Sequence, residues 1–166
     1  HIPDEKVSKM ISKGFKATTD FKKIEDVDVI IICVPTPLDH HKEPDLSAII
    51  KTGHSIAPFM KKNQLIILES STFPGTTDEN LANSLEKSNL EKNKDYYLAY
   101  SPEREDPGNK EYSTSTIPKI VGADCDKAQE LVYELYNQII DTVIQVRSTR
   151  TAEAVKLTEN IFRSVN

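Results

Sequence analysis

Each of three short apolar runs in this 166-residue chain ends at a proline flanked by hydroxyl or acidic side chains. The runs are Val29-Ile30-Ile31-Ile32-Cys33-Val34 before Pro35-Thr36-Pro37, Leu65-Ile66-Ile67-Leu68 before Glu69-Ser70-Ser71-Thr72-Phe73-Pro74-Gly75, and Tyr96-Tyr97-Leu98-Ala99-Tyr100 before Ser101-Pro102-Glu103-Arg104. Runs this short and continuous, separated by helical patterns, read as strands of a parallel sheet covered on both faces. Open sheets of that kind bind ligands beyond the carboxyl ends of their strands. Polar chemistry set three times at that edge predicts a site.

The remaining pattern predicts helices over 4–12, 46–60, 76–86 and 124–140, and a last one from Ser148-Thr149 to the chain end. Thr19-Asp20 reads as a cap before a short turn from Phe21 to Ile24. Further strands are expected over 142–146, as an edge near 15–18, and over 117–121, where Pro118 argues for an edge or irregular strand. Strands alternating with helices give the fold class: α/β, a doubly wound, Rossmann-like parallel sheet. It reads as incomplete, because Gly14, Gly53, Gly75, Gly108 and Gly122 form no Gly-x-Gly-x-x-Gly, so the first glycine-rich βα unit is lacking.

A net charge of −5 argues against a nucleic-acid surface, which needs a basic patch. The longest apolar run is too short for a bilayer, and the polar opening His1-Ile2-Pro3-Asp4-Glu5 does not read as a secretory signal. Cys33, inside the most apolar run, is expected to behave as a small hydrophobe, and Cys125 to start a helix. Two cysteines make no disulfide framework and the four histidines no metal-ligand spacing, so a reducing, cytoplasmic setting is expected, with no metal.

Four segments are candidates for chemistry. Ser71 and Thr72 stand where a strand feeds a helix start, where free N–H groups suit an anion or carbonyl oxygen; plain capping is the alternative. Glu103 and Arg104 lie in a charged, proline-stiffened loop, with Glu103 a candidate base; self-paired charges on a solvated loop are the alternative. On the last helix, Ala154, Val155, Leu157, Ile161, Phe162 and Val165 project onto one arc. Glu153, Lys156, Glu159, Asn160 and Arg163 project onto the other. Lys156 and Asn160, four apart, are neighbours suited to stabilising an oxyanion, against the plainer reading of a solvent face with a Glu153–Lys156 pair. Pro35-Thr36-Pro37-Leu38 pins the backbone beside the expected cofactor crevice, or simply ends a strand.

Val34-Pro35-Thr36-Pro37-Leu38, Pro44-Asp45-Leu46-Ser47, Glu69 to Thr77, Ser101 to Asn109 and Lys156-Leu157-Thr158-Glu159-Asn160 together resemble, in order, the UDP-glucose/GDP-mannose dehydrogenase family. Within it the likeness is greatest to bacterial UDP-N-acetylglucosamine 6-dehydrogenases. The resemblance implies NAD as cofactor and a two-step oxidation of a nucleotide sugar's C6 alcohol to a carboxylate, through a cysteine thiohemiacetal and thioester, for surface polysaccharide precursors. It implies that Val34, Pro35, Thr36, Ser71, Thr72 and Glu103 line the NAD site. Thr72 would position a water, and Glu103, Arg104, Lys156 and Asn160 would meet the substrate.

By the same likeness, residues 1–147 are a partial NAD-binding domain. Residues 148–166 begin the helix toward a central dimerisation domain and a UDP-binding domain, in a parent expected to be a homodimer or larger. Neither Cys33 nor Cys125 fits the family's nucleophile motif, so the chain alone is expected to be inactive. Pro107, where many UDP-glucose enzymes carry a second glutamate, favours the N-acetylated sugars. UDP-N-acetylmannosamine and UDP-glucose dehydrogenases, a 6-phosphogluconate-type hydroxyacid dehydrogenase, and a noncatalytic interaction domain are the alternatives.

Overall fold

The structure, a computed structural model, describes residues 2–102 and 117–165, with Arg163 and Ser164 described for the backbone alone. Five strands form one sheet in the order β1 (Val29–Ile32), β2 (Leu65–Leu68), β3 (Tyr97–Tyr100), β4 (Lys119–Ala123) and β5 (Val143–Val146). Helix α1 (Asp4–Ser12) precedes them, and α2 (Ser47–Ile56) crosses from β1 to β2. A π-helical turn, Thr76–Leu81, running into α3 (Ala82–Ser84), crosses from β2 to β3. Helix α4 (Asp126–Asn137) links β4 to β5, and α5 (Thr149–Val165) follows.

Side-chain alternation sorts the core into two layers. Ile30, Ile32, Ile66, Leu68, Leu98, Tyr100 and Ile120 face α2, α3 and α5. Leu65, Ile67, Ala99, Val121 and Ala123 face α4, which contributes Ala128, Val132 and Tyr136. β2, buried at all four positions, is the spine of both layers. Leu68 is wholly buried, so Leu68→Ala is expected to lower unfolding free energy by about 3 kcal/mol, read from denaturant midpoints. A loss below about 1 kcal/mol would mean that the rim above it is not built on a packed floor.

The mostly parallel sheet follows the expected fold, with one reversal. β1, β2 and β3 are parallel, β4 runs antiparallel to β3, and β5 is parallel to β4. A parallel crossover needs a helix-length return. The Pro-, Gly- and charge-rich sequence between β3 and β4 offers no apolar helical stripe for one.

Other expectations give way. β4 is an interior strand, because Pro118 falls just before its first residue and removes no ladder donor. Residues 15–18 form no strand and are exposed. Cys33 lies past the end of β1, exposed, with its Sγ 3.7 Å from Glu69 Oε2, so it is no core hydrophobe. The helix predicted over 124–140 ends at Asn137, so that Ile139 is 64% exposed and Ile140, beyond the helix end, is buried. Asp20 does cap the turn Phe21–Asp26, accepting from the Lys22 N–H at 3.0 Å. No helix among the described residues is long and apolar enough to cross a membrane.

Candidate functional site

The parallel register brings the carboxyl ends of β1, β2 and β3 to one rim, and the antiparallel β4 starts at that same rim. There the first two proline segments are stitched together. The Ser70 hydroxyl accepts from Val34 N–H at 3.0 Å and donates to Val34 C=O at 2.6 Å. The Thr36 hydroxyl donates to Ser71 C=O at 2.6 Å, and the buried Tyr100 hydroxyl to Ser70 C=O at 3.1 Å. Burial pushes the Tyr100 pKa up to about 12, partly countered by the nearby Thr72 hydroxyl, so Tyr100 remains a neutral donor at physiological pH. Val34, Thr36, Ser70 and Ser71 are therefore bonded together at one rim between β1 and β2, with Pro35 and Thr72 next to them in the chain.

Thr72 Oγ1 is buried and has no hydrogen-bond partner at good geometry among the described residues. An orphaned hydroxyl costs about 1–3 kcal/mol in a folded protein. Its chemistry fits a polar group of a dinucleotide, were one bound beyond the strand ends.

Past Thr72 the chain turns sharply. Gly75 adopts φ +102°, a left-handed conformation that favours glycine. Thr76 closes the turn by directing its N–H and hydroxyl to Phe73 C=O at 3.1 and 2.8 Å. Three further donors at the helix start are taken by Glu153 of α5. Its Oε2 accepts from Gly75 N–H at 2.7 Å, and its Oε1 from Thr77 N–H at 2.9 Å and the Thr77 hydroxyl at 2.6 Å.

This corrects the expected solvent face of α5. Glu153 is wholly buried and makes no surface pair with Lys156. The polar arc turns inward at its start, while Leu157, Ile161, Phe162 and Val165 of the apolar arc lie on the surface. Burial raises the Glu153 pKa, against the pull of the Thr77 and Gly75 donors.

Three further ties fix α5. Asp124 caps it, accepting from Thr149 N–H at 3.1 Å and the Thr149 hydroxyl at 2.9 Å. Arg150 reaches Asp78 at 2.8 Å and also pairs with Glu79. Gly122 of β4 lets the first turn approach so closely that an added Cβ would stand 2.3 Å from Ser148 O. From this anchored turn the stripe continues to Lys156, half-buried, and Asn160, exposed. Glu103 and Arg104 lie outside the described residues.

A second polar cluster on the rim, on the α4 side of the sheet, went unnoticed in the sequence. Lys119 pairs with Glu69, its ammonium 4.6 Å from the centre of the Tyr136 ring. Burial, then the Glu69 charge, holds the Tyr136 phenol protonated. The signal was available: one step of alternation past Leu68 puts Glu69 on the opposite face from Ser70.

The sequence profile of the UDP-glucose/GDP-mannose dehydrogenase family, NAD binding domain, matches residues 1–140. A UDP-N-acetyl-D-glucosamine 6-dehydrogenase of Pseudomonas aeruginosa is 40% identical over 151 residues, covering 90% of this chain and 36% of that protein. The enzyme of the same name from Salmonella typhi is 35% identical over 157 residues, 93% of this chain and 37% of that one. The solved UDP-D-ManNAc dehydrogenase of Pyrococcus horikoshii superposes with a TM-score of 0.89 at 34% identity, covering 98% of this chain and 39% of that chain. The chain thus spans little more than a third of the length of these relatives.

Proposed function

Since this chain belongs to the UDP-glucose/GDP-mannose dehydrogenase family, within its NAD-binding domain, we propose that it forms the cofactor side of a UDP-N-acetylglucosamine 6-dehydrogenase. The reaction is oxidation of the C6 alcohol of the sugar nucleotide to a carboxylate. NAD, when bound, supplies the hydride acceptor. Val34, Pro35, Thr36 and Ser71 would hold it at the β1–β2 rim. Thr72 holds a water or substrate oxygen with its buried hydroxyl. Lys156 and Asn160 donate to the oxyanion that develops at C6, with Glu103 and Arg104 completing the sugar side.

The observation that carries this reading is the joining of the Thr72 turn to the Lys156–Asn160 helix through Glu153, because it ties the two halves of the site together. The exposed arc of Leu157, Ile161 and Phe162 fits a buried position in a homo-oligomeric parent.

The Pyrococcus horikoshii likeness favours a second reading, UDP-N-acetylmannosamine as substrate. The full-length gene product, supplied with NAD and each of the two N-acetylated UDP-sugars or UDP-glucose, is expected to reduce NAD fastest with UDP-N-acetylglucosamine, followed by nicotinamide absorbance. A higher kcat/KM for the mannosamine isomer selects the second reading. Oxidation of small hydroxy acids with no response to any UDP-sugar overturns both.

A further inference from the structure

A buried carboxylate is an expensive way to fasten one helix to another. Moving the charge out of water costs several kcal/mol, and a well-packed apolar residue of similar volume is often as good for stability. Glu153 is nonetheless wholly buried. What its charge provides is direction. Three bonds of 2.6–2.9 Å converge on its two oxygens from Gly75 and Thr77, leaving the helix little room to slide or rotate.

The location of that grip is informative. Gly75 is three residues past Thr72, and the Thr76 bonds to Phe73 C=O make the intervening turn rigid. On α5, at about 100° and 1.5 Å per residue, Lys156 lies about 60° around from Glu153 and about 4.5 Å further along. Asn160 returns to within about 20° of it, about 10.5 Å along. Thr149, Glu153, Lys156 and Asn160 therefore form one stripe, running from buried to exposed.

We propose that Glu153 is a positioning residue: by gripping Gly75 and Thr77 it sets the register of the Lys156–Asn160 face against the Thr72 turn. It touches neither sugar nor cofactor. It acts through the two elements that do, and the inference rests on the functional reading above. The ionised form is the one that matches three donors, since a carboxylate only accepts. Glutamine keeps the shape but turns an NH₂ toward either the Gly75 or the Thr77 N–H, setting donor against donor. A displacement of about 1 Å at a reacting centre costs about 10²-fold in rate.

The test uses the full-length gene product with saturating NAD and UDP-N-acetylglucosamine. Glu153→Gln is expected to lower kcat by about 30- to 100-fold while KM for the UDP-sugar stays within about threefold, a loss confined to transition-state alignment. Arg150→Met, which removes the outer ties between the same two elements, is expected to lower Tm while leaving kcat within about twofold. Thr77→Val, which removes one donor and keeps the volume, gives an intermediate kcat and serves should Glu153→Gln fail to fold.

A wild-type kcat in both Glu153→Gln and Thr77→Val overturns the proposal. So does a kcat that falls in proportion to Tm across all three variants, which is the signature of a purely structural tie. An unsubstituted enzyme that reduces no NAD with any UDP-sugar overturns the functional reading itself.

Discussion

Lys156→Ala in the full-length enzyme is expected to lower kcat by about 10²–10³-fold, the range for removing one preorganised oxyanion donor. The size of the effect follows from where the ammonium sits. Lys156 is half-buried on a helix whose first turn is held by the Asp124 cap and the Glu153 grip. A donor on so fixed a scaffold spends little reorganisation energy as charge develops, which is the condition for a large contribution.

Asn160→Ala removes a second donor of the same stripe and is expected to cost about 10²-fold. If the two serve one oxyanion, as proposed, the double variant is expected to fall short of the product of the single losses. NAD affinity, proposed to be set at the β1–β2 rim, is expected to stay within about twofold in all three, as measured by calorimetry. Full activity in Lys156→Ala, or a parallel collapse of NAD binding, would remove Lys156 from the proposed role.

The second large effect concerns stability. Gly122→Ala is expected to cost about 2–4 kcal/mol, or to displace α5 outright. The added Cβ would stand 2.3 Å from Ser148 O and 2.9 Å from Ala152 Cβ. Neither neighbour is a flexible tip. Ser148 O accepts the Ala152 N–H inside the first turn of α5, and Ala152 is itself wholly buried. The ties that make α5 a good scaffold also prevent it from yielding.

Gly14→Ala is the internal contrast. It has open space around its Cβ but φ +99°, so its cost is backbone strain alone, about 1 kcal/mol. Thermal unfolding of the two variants separates the mechanisms. Equal midpoints would mean that the helix moves off β4 without penalty, and the anchored-scaffold argument would fail with it.

The sheet was legible because a buried parallel strand leaves little choice of residue: Leu65–Leu68 is apolar at every position, and its neighbours nearly so. The rim was legible for the same reason, since polar residues reappear where the strands leave the core. Glu153 was not. Projection onto a helical wheel shows which residues share a face, but not which way that face points. An acidic residue beside Lys156 on a charged arc reads as solvated unless its three donors, more than seventy residues earlier, are already known.

The reversal of β4 was hidden by a similar gap. Pro118 looks like an edge signal until register shows that the ladder begins one residue later. Lys119 and Tyr136 were passed over because neither stands at the carboxyl end of a strand. One opens β4 and the other rides on α4, and only the antiparallel pairing brings them to Glu69.

That pairing has an evolutionary corollary. The polypeptide quits the sheet after Tyr100 and rejoins it at Lys119 on a neighbouring strand, so exit and re-entry are moored side by side. An excursion tethered in this way can be lengthened, shortened or rewritten without tugging on the architecture beneath. The stretch between the two moorings is thereby free to vary in length and composition while the platform underneath stays intact.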